Sequence, residues 1–536
     1  ADVVQSITAF ALERLGGGRN PDLMLTGALI RPAQPNNWNE MDKNKLFRRT
    51  CVIAVLCALN GAALAEPLPA ALREAALKAV GTNPEVQARW HAFQAAGAEQ
   101  DVARGGYLPQ LDLDAAIGRE RQDRPGQATD NYTHRGAALT LRQMLYDGFL
   151  TRSEVARLGY ARLARYYEVV DASESAALET VRAYADVLRY RDLVQLAKDN
   201  YVEHRRVYDQ IAERTAAGVG RRVDLEQASG RLALAESNLL TEVSNLHDVS
   251  ARYLRLVGEA PGATLPALPD ALAGTAGLPP TVADAVKAAL GASPALNAAI
   301  ENVRAGQAEI DARRSANQPR VDLRARQAVD HNLDGLSGRS RDGVVEVVLN
   351  YNLFRGGADQ ARIRQAAESL NQARDLREKA CRDIRQTLTI AYNDSQRLKE
   401  QLGYLDQHQL SIAKAREAYR QQFDIGQRTL LDLLDTENEY FQARRAYTSA
   451  RYDQVIAEAR TLAGMGRLLN TLEVARNDLP SASEVGQDRT GIDAAELCPP
   501  DAPSPLQIDK EALFAEALRD AGRGRAALPT APAVGR

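Results

Sequence analysis

Strict alternation of apolar and polar residues predicts two β-hairpins. From Tyr107 onward the pattern repeats every second residue, and a return strand with the same period leads to Tyr146. The apolar positions of these two strands are Leu111, Leu113, Ala115, Ile117, Ala137, Leu139 and Leu141. The pattern recurs with apolar residues at Val321, Leu323, Ala325, Val345, Val347, Leu349, Tyr351 and Leu353. Because this period is typical of strands with one apolar face, we predict hairpins over 107–146 and 318–354.

Helical patterns fill most of the remaining chain, and two of them are very long. The stretches 148–218 and 356–426 each run from one glycine to another without a proline. At 1.5 Å per residue, about 70 helical residues would span on the order of 100 Å, which suits a rod or the wall of a tube. Shorter helices are predicted before each hairpin, over 69–104 in the first half, and after each long helix, over 222–257 and 429–465.

The order of helix, strand, strand, long helix and return helix occurs twice because the chain is a duplication. Pro109 and Pro319 differ by 210 positions, and Gly218 and Gly426 differ by 208. Self-similarity at a sustained offset indicates an internal repeat. We assign repeat 1 to residues 66–258, a linker to 259–280, repeat 2 to 281–472 and a Pro- and Ala-rich C-terminal tail to 473–536.

The N-terminal region contains the pattern of an export signal. Met41 is followed by basic residues, a short apolar run and the small residues at 63–65 that a signal peptidase reads. We therefore predict a signal peptide over 41–65 and regard residues 1–40 as a doubtful extension. The alternative is a genuine cytosolic extension, which would place the export signal inside the chain instead of at its start.

Charge and cysteine content narrow the class of function. The 67 Lys and Arg residues nearly balance the 70 Asp and Glu residues, so nucleic acid is not expected as a partner. The six His residues are scattered, and neither a metal site nor a cofactor is predicted. Cys51 and Cys57 lie in the predicted signal peptide. This leaves Cys381 and Cys498, and their spacing does not decide whether they form a disulfide.

Four strands are too few to close a membrane barrel alone. Single-chain outer-membrane barrels begin at about eight strands, and a spanning strand needs an alternating apolar face. Either the hairpins form a small soluble periplasmic sheet on a coiled coil, or several chains each contribute four strands. The export signal favours the second interpretation, and three chains would supply twelve strands around an aqueous lumen.

These features together resemble the TolC family of trimeric outer-membrane efflux and secretion ducts. The resemblance covers about 67–472. The segment that carries it most specifically consists of Gly426, Gln427, Arg428, Thr429, Leu430, Leu431, Asp432, Leu433, Leu434 and Asp435. Supporting segments are the strand start at 108–111 and the hairpin exits at 145–148 and 353–357. The resemblance implies a mainly α protein with transmembrane β-strands: a trimeric twelve-stranded barrel in the outer membrane, continued by a long α-helical tunnel across the periplasm.

The resemblance also implies a gate at the periplasmic end of the tunnel. Asp432 and Asp435 match an acidic ring, Arg428 matches the gate arginine, and Asp224 in the other repeat matches its carboxylate partner. Phe423 stands where the family often has a tyrosine, so the phenol hydrogen bond of that link is missing. Six carboxylates in a narrow pore should favour cations and raise one another's pKa. The simpler alternative is that the two aspartates only cap a helix.

The turns beside the gate match the family's docking sites for a periplasmic adaptor protein. These residues are Ala217, Gly218, Val219, Ile425, Gly426 and Gln427. The implied partners are two further copies of the chain, the lipid of the outer membrane, the adaptor, and an inner-membrane ABC transporter or proton-driven pump. Because the pump supplies the energy, no enzymatic activity is expected from this chain.

Three functions remain open from the sequence. The hairpin exits and the long tail favour the outer-membrane channel of type I protein secretion. A small-molecule or multidrug efflux channel is the first alternative. A structural or adhesive coiled-coil protein of the envelope is the second.

Overall fold

The computed structural model describes residues 68–126, 128–272, 277–488, 498, 501, 503, 506 and 508–526. The predicted signal peptide (41–65) and the preceding extension (1–40) lie outside these residues. Repeat 1 consists of α1 (Ala70–Thr82), α2 (Pro84–Arg104), β1 (Gln110–Gln122), β2 (Asp130–Tyr146), α3 (Leu150–Ala216) and α4 (Arg222–Val257). Repeat 2 consists of α5 (Val282–Ala292), α6 (Pro294–Arg314), β3 (Arg320–His331), β4 (Arg339–Asn350), α7 (Ala358–Asp424) and α8 (Leu430–Gly464). After α8 come α9 (Leu468–Thr471) and α10 (Lys510–Ala526). The predicted duplicated order is confirmed.

The prediction of one continuous helix over 69–104 is wrong, because the helix breaks at Asn83. Asn83 is extended (φ −61°, ψ 127°), and its side-chain oxygen accepts the N–H of Glu85 at 2.9 Å. Pro84 then occupies the first helical position, where its missing N–H is harmless, and a residue before proline is disfavoured in a helix. Ser293 and Pro294 break the corresponding helix of repeat 2 in the same way.

The four strands form a single antiparallel sheet in the order β1-β2-β3-β4. Pairing of Ala137 with Val329 joins the hairpins of the two repeats. The apolar residues fall on one face of the sheet, and that face is uncovered: Leu113 is 71% exposed, Ile117 77% and Val345 75%. Within the described residues, strands β1 and β4 each pair on one side only. A sheet with a bare apolar face and two open edges is unstable in water as an isolated unit.

The long helices α3 and α7 each contain 67 residues, which at 1.5 Å per residue is about 100 Å. They are not buried equally. Helix α3 is covered along most of its length, whereas α7 keeps apolar side chains in the open at Leu376, Ile390 and Tyr404. These three are 14 residues apart (390 − 376 and 404 − 390), which is two heptads and therefore one helix face. Among the described residues, none of the helices is both long enough and apolar enough to cross a membrane.

The largest hydrophobic cluster joins both repeats and the linker, with Leu72, Leu256, Leu290, Leu388 and Leu462 among its members. Two tyrosines at equivalent repeat positions fasten the linker to it. The Tyr184 hydroxyl donates to the carbonyl of Pro266 at 2.9 Å, and the Tyr392 hydroxyl donates to that of Pro279 at 2.8 Å. Because 392 − 184 = 208, equivalent positions of the two long helices each hold one point of the linker.

The C-terminal tail packs across helices of both repeats. We call residues 473–488 together with Cys498 the C-terminal strap. Leu479 and Val485 pack in a cluster with Phe93 and Tyr166, and the guanidinium of Arg476 lies 4.9 Å from the Trp90 ring centre. The carbonyl of Asp488 accepts a hydrogen bond from Arg304 of α6 at 2.6 Å.

A disulfide anchors the C-terminal strap to α7. Cys381 and Cys498 are both buried, and their Cα atoms are 5.7 Å apart, within the usual range for a disulfide. The structure thus answers the question that cysteine spacing left open.

A buried carboxylate lies where α3 meets the start of α9. Glu174 is 5% exposed, and its carboxylate accepts the N–H of Leu469 at 3.3 Å. Burial outweighs these hydrogen bonds and raises the pKa of Glu174 to about 8. Folding therefore takes up a proton between about pH 4.5 and 8, so this residue makes stability decline as the pH rises through that window.

We expect Glu174→Gln to remove this pH dependence while keeping an oxygen that accepts the N–H of Leu469. Relative to the wild type, the variant should gain melting temperature as the pH is raised from 5 to 8. Glu179→Gln, which changes a more exposed carboxylate on the same helix, is the control. Parallel melting curves for wild type and Glu174→Gln across this range would contradict the assignment.

Candidate functional site

The two glycine turns at the ends of the long helices have the same local structure. Helix α3 ends before Gly218 (φ +77°), and α7 ends before Gly426 (φ +76°). The N–H of Val219 donates to the carbonyl of Arg214 at 3.0 Å, and the N–H of Gln427 donates to that of Gln422 at 2.8 Å. This closure of a helix end requires a residue in the left-handed region, which glycine enters without strain.

The residues predicted for adaptor docking lie on these turns. Val219 is 80% exposed and Ile425 is 69% exposed, and the neighbouring Ala217, Gly218, Gly426 and Gln427 are also exposed. Each turn thus presents one large apolar side chain to solvent. Such a side chain suits contact with another protein.

Each glycine turn joins two antiparallel helices into a helical hairpin, α3 with α4 in repeat 1 and α7 with α8 in repeat 2. An apolar cluster behind the turns holds these two hairpins together. It contains Val207 and Ile211 of α3, Ala228 of α4, Phe423 of α7, and Leu430, Leu433 and Leu434 of α8. Phe423 is 7% exposed, and the Arg214 guanidinium lies 5.7 Å from its ring centre. In this protomer Phe423 acts through packing, in place of a phenol hydrogen bond.

Arg428 is held by its own hairpin. Its Nε donates to Gln422 Oε1 at 2.9 Å, its guanidinium lies 4.3 Å from the Tyr419 ring centre, and its Nη1 is 3.9 Å from Asp432. In the described part of the protomer, Arg428 and Asp224 share neither a hydrogen bond nor an ion pair. Asp224 lies in the first turn of α4. A link between these two residues therefore stays a prediction.

Asp432 caps the helix that follows the second turn. The Thr429 hydroxyl accepts the Asp432 N–H at 3.2 Å, while the Asp432 carboxylate accepts the hydroxyl and the N–H of Thr429 at 2.9 and 3.3 Å. This reciprocal capping box satisfies two donors at the helix start. The hydrogen bonds from Thr429 lower the pKa of Asp432, so within a protomer the effect is opposite to the one expected from a crowded acidic ring.

Asp435 pairs with an arginine that sequence reasoning missed. Arg231 of α4 donates to the Asp435 carboxylate at 2.5 Å, and both side chains are partly exposed. Further along the same seam, Arg445 of α8 lies 2.7 Å from the buried carboxylate of Glu242 in α4. No spacing in the sequence indicates these pairs, because each joins residues about 200 positions apart.

The described part of the chain contains no group of three or more His, Cys, Asp or Glu residues that could hold a metal ion. What the turns can do is mechanical and electrostatic. They place carboxylates and exposed apolar residues at one end of the two helical hairpins, each of which contains one long helix.

The family is decided by a sequence model that matches each of the two repeats. The sequence model of the family described as outer membrane efflux protein matches residues 77–259 and 285–467, one match in each repeat. This chain belongs to the outer membrane efflux protein family. The resemblance to TolC is thereby confirmed, together with the predicted outer-membrane location and periplasmic tunnel. The family consists of channel-tunnels rather than enzymes, which favours a duct over a structural or adhesive protein.

Similar members of the family have names that refer to both efflux and secretion. Outer membrane efflux protein BepC of Brucella suis is 26% identical over 408 residues, which cover 76% of this chain and 87% of BepC. Outer membrane protein TolC of Escherichia coli is 23% identical over 403 residues, 72% of this chain and 80% of TolC. Proteases secretion protein PrtF of Dickeya chrysanthemi is 24% identical over 411 residues, 69% of this chain and 82% of PrtF. Similarity therefore does not select the cargo.

Solved structures of outer-membrane proteins share the fold. The CmeC outer membrane channel of Campylobacter jejuni matches with a TM-score of 0.67 at 14% identity, covering 87% of this chain and 96% of CmeC. A membrane protein from Pseudomonas aeruginosa matches with a TM-score of 0.66 at 20% identity, covering 74% of this chain and 94% of that one. The predicted fold class is confirmed.

Proposed function

We propose that three copies of this chain form a closed export duct, with twelve strands in the outer membrane and a helical tunnel below them. The observation that carries the proposal is the four-stranded sheet with a bare apolar face and two open edges. Joining β4 of one copy to β1 of the next removes every edge, and the apolar face then meets lipid. The apolar stripe of Leu376, Ile390 and Tyr404 on α7 gives the tunnel wall a matching contact for the next copy.

The mouth of the duct is the ring of glycine turns. Asp432 and Asp435 from three copies place six carboxylates there, and Arg428 of one copy reaches Asp224 of its neighbour. A periplasmic adaptor binds the exposed turn residues, among them Val219 and Ile425, and an energised inner-membrane pump supplies the cargo. Support comes from the exposure of both turns. To reach Asp224 of a neighbour, Arg428 would exchange its contacts with Gln422 and Asp432 for the new one.

For the cargo we propose protein exported by a type I secretion system with an ABC transporter. The hairpin exits and the long tail favour it, and PrtF is a protease secretion protein by name. The second candidate is small-molecule efflux driven by a proton-driven pump, which the name of BepC favours. Deleting the gene and comparing secreted protein with drug sensitivity separates the two. Lost secretion with unchanged drug sensitivity supports the first candidate, and the reverse pattern supports the second.

The duct itself is tested with the purified protein. Native mass spectrometry in detergent should give a trimer, and planar bilayers should show single-channel currents. A stable monomer that dissolves without detergent and conducts no ions would end the proposal.

We expect Arg428→Ser to raise the single-channel conductance several-fold, because it removes the link that ties the turn to the neighbouring copy. Arg221→Ser is the matched control: it makes the same substitution beside the first turn, at an exposed residue. If Arg428→Ser conducts like the wild type, Arg428 does not hold the mouth closed.

A further inference from the structure

Five arginines lie on one face of the sheet, at the end of the strands that is farthest from the helices. We call them the outer arginine band, and its members are Arg119, Arg121, Arg135, Arg339 and Arg341. All five are exposed. In the described part of the chain, none of them forms an ion pair or a side-chain hydrogen bond. Charges of one sign that are concentrated on one surface create a potential that attracts the opposite sign.

The strand register places the outer arginine band on the apolar face of the sheet. Side chains of directly paired residues lie on the same face. Arg135 pairs with Ile117, which is an apolar residue of that face. Arg341 pairs with Val329, and Val329 in turn pairs with Ala137 of the same face. Two of the five arginines are thereby assigned directly from their partners.

The other three follow from the period of two along a strand. Arg119 and Arg121 come two and four residues after Ile117, and Arg339 comes two residues before Arg341. On β1 the last apolar residue of the face is therefore followed at once by two arginines. The band begins where the apolar surface ends.

The carboxylates at the same strand ends lie on the opposite face. The register assigns to that face Glu120, Asp130, Asp330 and Asp342. His134 also lies there, 3.5 Å from Glu120 and 3.3 Å from Asp330. On the apolar side, none of the described strand positions between Ile117 and the hairpin turns is an Asp or a Glu. The positive charge of the band is thus separated from the negative charge by the thickness of the sheet.

The opposite end of the apolar face, next to the helices, carries no such charge. Its described outward positions include Leu111, Gln143, Tyr146, Val321 and Leu349. Arginine can extend from an apolar surface toward water at either end of a membrane-spanning element. If that were the only role of these arginines, both ends of the face would be expected to carry them. Their concentration at the hairpin end indicates that this end meets an anionic environment that the other end lacks.

The position of the band in the membrane identifies that environment. In the proposed duct the helices lie in the periplasm, so the hairpin turns face outward and the band lies at the outer leaflet. The outer leaflet of a bacterial outer membrane consists largely of lipopolysaccharide, whose lipid A carries phosphate groups directly above its acyl chains. Guanidinium groups bind phosphate through paired, charge-assisted hydrogen bonds.

The spacing within the band suits a headgroup with more than one phosphate. His331 pairs with Arg135 on one side and with Arg339 on the other, so these three residues form one row across three strands. Neighbouring strands are about 4.8 Å apart, which places the backbones of the two arginines roughly 10 Å apart. Their long side chains can converge on one headgroup, while the apolar residues below them contact its acyl chains.

We propose that the outer arginine band is a binding site for the phosphorylated headgroup of lipopolysaccharide. This inference rests on the proposed duct, because the duct determines which end of the strands faces the outer leaflet. It adds a specific lipid ligand to a surface that the duct alone requires only to be apolar.

The test is the double variant Arg135→Gln with Arg339→Gln in the full-length protein, purified in detergent and titrated with lipid A. Each basic side chain near an anionic lipid surface strengthens binding by nearly one order of magnitude at most, so we expect affinity to fall on the order of thirtyfold. The matched control is Arg142→Gln with Arg326→Gln, which removes two arginines from the opposite face of the same sheet. Arg135→Lys with Arg339→Lys keeps both charges and should retain most of the affinity.

The choice of ligand separates lipid A from other anions. Dephosphorylated lipid A should bind the wild type weakly, and inorganic phosphate at millimolar concentration should not displace lipid A. Equal affinity for the two forms of lipid A, or displacement by inorganic phosphate, overturns the site. Phosphatidylglycerol that binds as tightly as lipid A also overturns it, because the band would then not select the glycolipid.

The variants distinguish failure of the site from failure of the duct. Conducting trimers whose affinity for lipid A is unchanged by Arg135→Gln with Arg339→Gln, or falls equally in the matched control, overturn the site and leave the duct intact. Protein that neither forms trimers nor conducts defeats the duct and the orientation on which the site depends. If the first double variant does not assemble, Arg119→Gln with Arg121→Gln removes two members from β1 alone, and unchanged affinity there overturns the site.

Discussion

Replacing Cys498 with alanine is expected to free the C-terminal strap and to lower the thermal stability of the protein. The disulfide to Cys381 closes a separation of 117 residues. A disulfide that closes so long a loop typically stabilises by about 2–4 kcal/mol, chiefly by restricting the unfolded chain. Both sulfurs belong to the largest hydrophobic cluster, and alanine avoids placing a hydroxyl there.

The loss should be concentrated in the strap. Its other anchors include the packing of Val474, Leu479 and Val485, the Arg476 guanidinium beside the Trp90 ring, and a hydrogen bond from Arg304. These contacts can open locally without unfolding the repeats. Limited proteolysis should therefore cut the strap of Cys498→Ala well before the long helices, and the melting temperature measured by circular dichroism should fall.

Reduction provides the internal control. A reductant should convert the melting and proteolysis behaviour of the wild type into that of Cys498→Ala, and it should leave the variant unchanged. The periplasm is oxidising, so the bond should be intact in protein isolated from the envelope. If wild type and variant melt together and resist protease equally, the disulfide does not stabilise this fold.

The sequence predicted the features that local signals encode. Alternation with a period of two placed both β-hairpins, and an offset of 208 between the repeats placed the turns at Gly218 and Gly426. A glycine in the left-handed region and a change of period are each visible within a few residues. The break at Asn83 was also a local signal, a capping residue before a proline, and it was missed because the helical pattern continues on both sides.

The contacts that the sequence could not predict are those between distant segments. Arg231 meets Asp435, and Glu203 meets Arg420, only because the two helical hairpins pack side by side in one particular register. Charged residues on long helices usually face water, so their type alone does not reveal a partner. The pairing of Cys381 with Cys498 likewise depends on the path of the strap across several helices. For the predicted gate, the structure supplied partners for Asp432, Asp435 and Arg428 within one protomer, while contacts between protomers remain predictions.

Neutralising both aspartates at the mouth should abolish most of the block of the channel by a trivalent cation such as lanthanum. The attraction between a trivalent cation and one carboxylate at about 5 Å in water is about 2.5 kcal/mol. Six carboxylates around a narrow passage act together, so even with screening we expect the double variant Asp432→Ala with Asp435→Ala to weaken block on the order of a hundredfold. The measurement is the concentration that halves the current in planar bilayers.

The capping role of Asp432 requires a stricter control. Alanine removes both the charge and the capping box with Thr429, and loss of a cap typically costs about 1 kcal/mol. Asp432→Asn with Asp435→Asn removes the charge and keeps oxygens that can accept the Thr429 N–H. Thr429→Ala disrupts the cap and keeps the charge. A charged ring predicts weak block for the asparagine variant and strong block for Thr429→Ala, whereas the reverse result would mean that the aspartates act only on the helix end.

Arg231 allows a prediction in the opposite direction. Its guanidinium lies 2.5 Å from Asp435 in each protomer, whereas Arg428 lies 3.9 Å from Asp432, so Asp435 is the more strongly neutralised of the two carboxylates. Asp432→Asn alone should therefore weaken block more than Asp435→Asn alone. Arg231→Gln should strengthen block, because it frees the Asp435 charge for the passing cation. If Arg231→Gln leaves block unchanged, Asp435 faces the seam between the hairpins rather than the passage, and Asp432 alone forms the ring.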